Sequence, residues 1–169
     1  WKKITEDPKL EVFVEYLKNT LLSKKINPQS KLVVFSESKE TTDYLFKELT
    51  KQVNYRILAV DSDSRKEKMP IIRQNFDANL LKAEQKDDFD IVLSTEVLAE
   101  GINLHRSNVI VNYDTPWNST RLMQRIGRVN RIGSTADEVH VYNFYPTAKV
   151  TNDIELEKKA IMKLQAFHA

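Results

Sequence analysis

Apolar residues recur at spacings of three and four from position 8 to 24, through Leu10, Phe13, Val14, Leu17, Leu21 and Leu22, and predict an amphipathic helix with one buried stripe. Pro8 suits its first turn, which has no use for an intrahelical N–H. The pattern then changes. From Lys31 to Ser36 the apolar run is continuous rather than alternating, as in a strand covered on both faces. A helix is expected over 39–51, a strand from Tyr55 to Val60, a helix from Lys66 to Phe76 with Ile71, Ile72 and Phe76 turned inward, and a strand from Phe89 to Ser94. Next come a strand from Asn108 to Tyr113, a helix from Ser119 to about Arg131, a strand from Glu138 to Phe144 and a helix from Asp153 to Phe167.

Short strands alternating with longer helices mark βαβ units, so the expected class is α/β: three layers, with a central, mainly parallel sheet flanked by helices. Right-handed crossovers leave few topologies. In such sheets ligands gather beyond the carboxyl ends of the strands, here the loops after Phe35, Val60, Leu93 and Tyr113. Neither a repeat nor a linker interrupts the pattern, and 78–88 forms a long polar connection. The 169 residues fit a single domain, with a core at about 31–145 and a flanking helix at each end.

Charge narrows the possibilities. A net charge of +2 creates no global basic field, so any nucleic-acid contact must be local. Cysteine is absent, which excludes disulfides, a thiolate nucleophile and Cys-ligated zinc. No apolar run approaches the roughly 18 residues of a membrane span, so no membrane partner is expected. The chain opens Trp1-Lys2-Lys3, with neither a starting methionine nor a signal-like segment, and is expected to be a fragment of a longer cytoplasmic protein.

Several chemistries lack their residues. None of the three glycines, Gly101, Gly127 and Gly133, is followed by lysine, so there is no phosphate-wrapping P-loop. A G-x-G-x-x-G fingerprint is likewise missing. Asp137-Glu138 precedes its strand instead of ending one, which fits a strand entrance and not a metal-holding acidic box. His105, His140 and His168 lack ligand spacing and suit surface or packing positions. Asn118-Ser119-Thr120 is best explained as a helix cap.

Two stretches do carry chemistry. In Gln124-Arg125-Ile126-Gly127-Arg128-Val129-Asn130-Arg131-Ile132-Gly133, Leu122, Ile126 and Val129 form one helical stripe, while Gln124, Arg128 and Arg131 repeat about 200° away. A solvated basic face is the plainer account of those arginines. Against it, Gly127 costs roughly 1 kcal/mol in a helix interior and suggests close approach of a backbone or ligand. Carboxylates that would neutralise the face are also absent, and planar guanidiniums suit phosphate. In the second stretch, Leu93 to Leu104, a buried strand ends at Ser94-Thr95 and a short helix begins at once, so hydroxyls and amides face the ligand edge. An ordinary Ser/Thr cap would look the same. Glu100-Gly101 breaks that helix and returns Asn103 toward the edge.

Residues 31–145 resemble the second RecA-like domain of superfamily-two helicases, closest to Swi/Snf-type translocases and their bacterial relatives. Three blocks carry the likeness: Val33-Val34-Phe35-Ser36 before a helix, Ser94-Thr95-Glu96-Val97-Leu98-Ala99-Glu100-Gly101-Ile102-Asn103-Leu104, and Gln124 to Gly133. Asn112-Tyr113-Asp114-Thr115-Pro116-Trp117-Asn118 supports the same branch. Ser134 departs from it, standing where glutamine is usual.

The resemblance implies half of an ATP-dependent helicase or translocase motor. A first RecA-like domain of the same protein would bind ATP and hold its Mg2+, and this chain alone would be inactive. Arg131 would be the arginine finger, Arg128 a second phosphate contact and Gln124 an organiser of the closed cleft. Glu100, Gly101 and Asn103 would approach the nucleotide. Ser36, Ser94 and Thr95 would touch a DNA or RNA strand. The alternative is a nucleic-acid-binding module without motor function, which needs the strand contacts but not the arginines. Trp117 is either a packing anchor after Pro116 or an aromatic contact at a domain interface.

Overall fold

The computed structural model describes residues 7–145; the helix expected at 153–167 lies outside them. Helix α1 spans Pro8–Tyr16, and the Asp7 carboxylate caps it by accepting from the Leu10 N–H at 3.1 Å. A π-helical turn, Leu17–Leu21, ends the segment earlier than its apolar stripe suggests. Then follow β1 (Leu32–Phe35), α2 (Lys39–Gln52), β2 (Ile57–Val60), α3 (Arg65–Phe76), β3 (Ile91–Ser94), a 3-10 turn (Glu96–Leu98), β4 (Val109–Asn112), α4 (Ser119–Val129) and β5 (His140–Asn143). Each strand is shorter than its apolar run, because the flanking residues turn into loops while staying under the helices.

All pairings are parallel, in the order β2-β3-β1-β4-β5. The continuous apolar runs have the expected cause. In β1, Leu32 and Val34 pack with α1 and α2, while Val33 and Phe35 pack with α3 and α4. Ile91 and Leu93 of β3 and Val109 and Val111 of β4 join the first layer; Val92 and Ile110 join the second. The edge strand β5 is only half-buried. No helix among the described residues is long and apolar enough to cross a membrane.

Polar staples lock the amino ends of the strands. Buried Asn27 donates to the Leu21 and Lys31 carbonyls at 2.9 and 2.7 Å, fixing the entry to β1. The connection at 78–88 is not a loose loop. Buried Arg106 donates to the Asn75 and Lys86 carbonyls at 3.0 and 2.8 Å and to Asp87 at 2.7 Å, pinning it beneath α3.

Candidate functional site

Helix α4 takes its orientation from its sequence. The Asn118 side chain accepts from the Thr120 N–H at 2.8 Å and starts the helix, and Leu122, Ile126 and Val129 are all buried against the sheet. Gln124 and Arg128 fall on the half-buried flank. The helix ends at Val129, two residues short of expectation, so Arg131 lies beyond it; its Nε nevertheless donates back to the Gly127 carbonyl at 3.0 Å. Nothing in this chain lies within 4 Å of where a Gly127 Cβ would stand, so none of the chain's own backbone makes a close approach there.

Past the end of α4 lies a cavity of about 350 Å³ lined by Met69, Arg73 and Asp77 of the α3 segment, Gly101 to Asn103, Arg128 and Arg131. It opens on the face between α3 and α4, not beyond the carboxyl edge of the strands. The chain leaving β3 runs back along that face, where Leu104 N–H donates to the Arg128 carbonyl and Arg106 N–H to that of Phe76, each at 2.9 Å. Gly101 has φ +73°, and a Cβ there would stand 3.2 Å from an Arg65 Nη, so both backbone and space demand glycine. Arg65 tightens this turn by donating to the Val97 and Glu100 carbonyls at 2.9 and 3.1 Å.

The arginines are poorly compensated. Arg128 Nε is buried without a partner, and its Nη1 reaches the Ile102 carbonyl only at 3.5 Å. Burial lowers the Arg128 pKa from the ordinary arginine value, neighbouring Arg131 lowers it further, and Glu100 partly offsets both. The one carboxylate lining the cavity, Asp77, is shared: Asn103 Nδ2 reaches it at 3.5 Å and Arg73 at 3.9 Å. A half-buried guanidinium lacking an anion is an anion-binding group, and its planar donors favour phosphate or carboxylate.

Arg131, Arg128, Gly101 and Asn103 are therefore brought together. Glu100 is exposed beside them, and Gln124 stands one turn earlier on α4, outside the cavity lining. The three strand-contact candidates lie at the other end of α4, where β1 and β3 finish. Ser36 is buried, its N–H donating to the Ser94 carbonyl at 2.9 Å and its hydroxyl to that of Ser38 at 3.0 Å, so it supports the edge from within. Ser94 is also buried, with its hydroxyl unpartnered. Thr95 is half-buried and makes no capping bond to the turn it precedes. Trp117 is 60% exposed.

Sequence reasoning missed four residues. Arg125, which helical spacing sets off the face of Gln124, Arg128 and Arg131, is fully buried. Its guanidinium donates to Glu96 through Nε at 2.7 Å and through Nη2, to Asn112 Oδ1 at 2.8 Å and to the Asp114 carbonyl at 3.2 Å. Nothing in a single helix's spacing announces partners on three other segments. Arg73 and Asp77 join the cavity only through the packing of α3. His105, at 0% exposure, has both ring nitrogens unpartnered, with Nδ1 3.8 Å from Asp77.

Arg125→Ala should cost roughly 3 to 5 kcal/mol, because it strips a buried network of its central cation. Arg131→Ala should stay within about 0.5 kcal/mol of the parent. Urea unfolding of the two variants measures the contrast. A second test uses pH. Burial pushes the His105 pKa down from the ordinary histidine value, Asp77 pulls it back up and Arg131 adds to the fall. A proton then binds the unfolded chain more tightly than the folded one. Stability should be full above about pH 6.5 and decline as the pH falls from there toward the folded-state value. Urea midpoints between pH 7.5 and 5.5 should fall less steeply in His105→Leu than in the parent.

The comparisons agree with this geometry. Residues 9–133 match the family model described as the helicase conserved C-terminal domain. An uncharacterized ATP-dependent helicase of Bacillus subtilis (strain 168), YqhH, is 53% identical over 53 residues, which is 31% of this chain and 9% of that protein. A probable ATP-dependent helicase of Plasmodium falciparum (isolate 3D7) is 31% identical over 143 residues, 85% of this chain and 6% of the relative. The chain thus spans under a tenth of either relative's length. Among solved structures, the C-terminal part of the Fun30 ATPase domain aligns with a TM-score of 0.68 at 20% identity, covering 92% of this chain and 45% of that one. The C-terminal domain of the DEAD-box protein Dbp5 aligns at 0.65 and 19%, covering 91% and 79%. Both likenesses bear on the fold, that of RecA-like helicase C-terminal domains. The matched span and the three-layer parallel sheet together make this chain a member of the helicase conserved C-terminal domain family.

Proposed function

We propose that the chain is the second motor domain of an ATP-dependent helicase or translocase of the Swi/Snf-like branch, closing on an ATP site carried by a first RecA-like domain. The observation that carries this reading is the arginine cavity, where Arg128 Nε is buried and unpartnered beside Arg131. Such a site gains from an anion brought to it. ATP, bound on the partner domain, supplies a terminal phosphoryl group whose charge shifts as it leaves.

In this reading Arg131 is the finger. It lies beyond the helix, is exposed and is tethered only through Nε, so its terminal nitrogens are free to reach across a closing cleft. Arg128, more deeply set, is the second phosphate contact. Gln124 organises the cleft at the same flank, and Glu100, Gly101 and Asn103 form its floor. Positive groups fixed in a closed, dry site stabilise the migrating charge without reorganising during the reaction. In the same reading Mg2+ would be held by the first domain.

A nucleic-acid strand, DNA or RNA, runs over the carboxyl edge at Thr95, with Ser36 and Ser94 beneath it. One similar protein, from Kluyveromyces lactis, is named an ATP-dependent RNA helicase; it is 28% identical over 101 residues, 60% of this chain and 23% of that protein. A non-motor binding module would leave the arginine cavity without a purpose.

In the intact protein, Arg131→Ala should lower strand-stimulated ATP turnover by about 10³ to 10⁵ while leaving strand affinity nearly unchanged. Arg131→Lys should recover little, since a point charge on a flexible stem does not reproduce the planar fork. Lys47→Ala, on the exposed face of α2, is the control. The isolated chain should release no phosphate from ATP above background, with or without nucleic acid. Steady-state phosphate release measures all four, and near-normal turnover in Arg131→Ala would contradict the reading.

A further inference from the structure

The cavity past α4 is walled by arginine on two sides. Arg128 and Arg131 stand on the α4 side. Across the floor of Gly101 to Asn103, the last two turns of α3 and its cap bring Met69, Arg73 and Asp77 to the same space. Met69 and Arg73 share one face of that helix, four residues apart. The Arg73 side chain is 57% exposed, so it borders solvent at the mouth of the cavity, which opens between the two helices. No motif singles it out, since it is one charge among several on a polar helix.

Arg73 is held in place but not satisfied. Its Nε stands 3.9 Å from the Asp77 carboxylate, within ion-pair range but too far for a hydrogen bond. Asp77 itself is buried and set by the backbone. Its N–H closes α3 on the Arg73 carbonyl at 3.0 Å, and its Oδ1 accepts from the Asn79 N–H at 2.9 Å. Asn103 Nδ2 at 3.5 Å and His105 Nδ1 at 3.8 Å share the same carboxylate. Asp77 therefore aims the guanidinium without saturating it, and a pair this long and this exposed yields readily to a stronger anion. The charge of Arg73 is nevertheless partly cancelled, whereas Arg128 and Arg131 repel each other. An uncompensated cation gains most from charge that builds as a phosphoryl group leaves. A compensated one grips ground state and transition state alike.

We propose that Arg73 is a nucleotide-binding residue, gripping the part of ATP that is not transferred from the wall opposite Arg128 and Arg131. The inference rests on the motor-domain reading above. With the terminal phosphoryl group held by α4, the rest of the nucleotide runs on through the mouth of the cavity, where Arg73 is the cation of the far wall. Its planar donors suit the phosphates that ADP retains. Asp77 is the positioning residue that keeps the guanidinium within reach. A contact to groups whose charge does not change during the reaction strengthens binding and leaves the chemical step alone.

The test uses Arg73→Ala and Arg73→Lys in the intact protein. Phosphate release with a saturating oligonucleotide gives kcat and the KM for ATP, and competition by ADP gives its inhibition constant. Arg73→Ala should raise the KM and the ADP constant in parallel, each about tenfold, while kcat stays within about twofold of the parent. Arg73→Lys should recover part of both. Lys47→Ala removes the same charge from the exposed face of α2 and should move neither constant. Melting temperatures should stay within about 3 °C, because the pair that Arg73 makes is long and exposed. Unchanged constants in Arg73→Ala would overturn the proposal, and so would an equal rise in Lys47→Ala, which would mark a long-range charge effect. A fall in kcat at unchanged KM would overturn it too, by placing Arg73 on the transferring group, as would a melting temperature lowered enough to account for the weaker binding. Arg131→Ala in the same assay separates the two readings: near-normal turnover there sinks the motor-domain assignment itself, whereas lost turnover with unchanged constants in Arg73→Ala sinks only the role of Arg73.

Discussion

A guanidinium carries its charge into any environment it enters, and at Arg125 that environment is dry. The fold must then supply acceptors, and it does so by bringing the ends of β1, β3 and β4 to one point above the sheet. These contacts fix where α4 lies, and the position of α4 fixes where Arg128 and Arg131 stand. A hydrophobic stripe alone would seat the helix on the sheet but leave it free to slide and roll by small amounts. Directional bonds to Glu96, Asn112 and Asp114 remove that freedom.

The same residue type is treated in opposite ways three positions apart. Arg125 is enclosed and satisfied, whereas Arg128 is partly enclosed and lacks a partner on Nε. Buried polar groups are nearly always paired, so an exception points to something outside the chain. The single cavity carboxylate, Asp77, is divided among Arg73, Asn103 and His105 and does not neutralise α4. Net positive potential therefore persists in a pocket of small volume. That is the condition under which an approaching phosphate is held strongly and an approaching cation is repelled.

Most of the fold was legible because continuous apolar strands and amphipathic helices follow different periods. The layers, the parallel sheet, the first-turn Pro8 and the cap at Asn118 follow from local pattern. Strand ends did not, since Lys31, Ser36 and Tyr113 remain buried beyond the ladders and look like strand in composition. At the site, Arg128, Arg131, Gly101 and Asn103 were identifiable because two compact stretches hold them. Arg73, Asp77 and His105 come together only in three dimensions. Arg125 was not legible for a physical reason: angular position on a helix says which side faces the sheet, but not that a long side chain can reach over the sheet's edge to partners on other loops. At Gly127 the chain itself leaves the neighbourhood open.

The arginine cavity as a receiver of a transferring phosphoryl group is the centre of this account. The most direct measurement is a structure of the intact protein closed on ADP with aluminium fluoride, which mimics the phosphoryl group in transit. The account predicts guanidinium nitrogens of both Arg128 and Arg131 at about 3 Å from the fluoride or the terminal oxygens, with Arg125 still bonded to Asn112 and Asp114. A closed complex in which the fluoride is fully coordinated while both arginines point to solvent would contradict it.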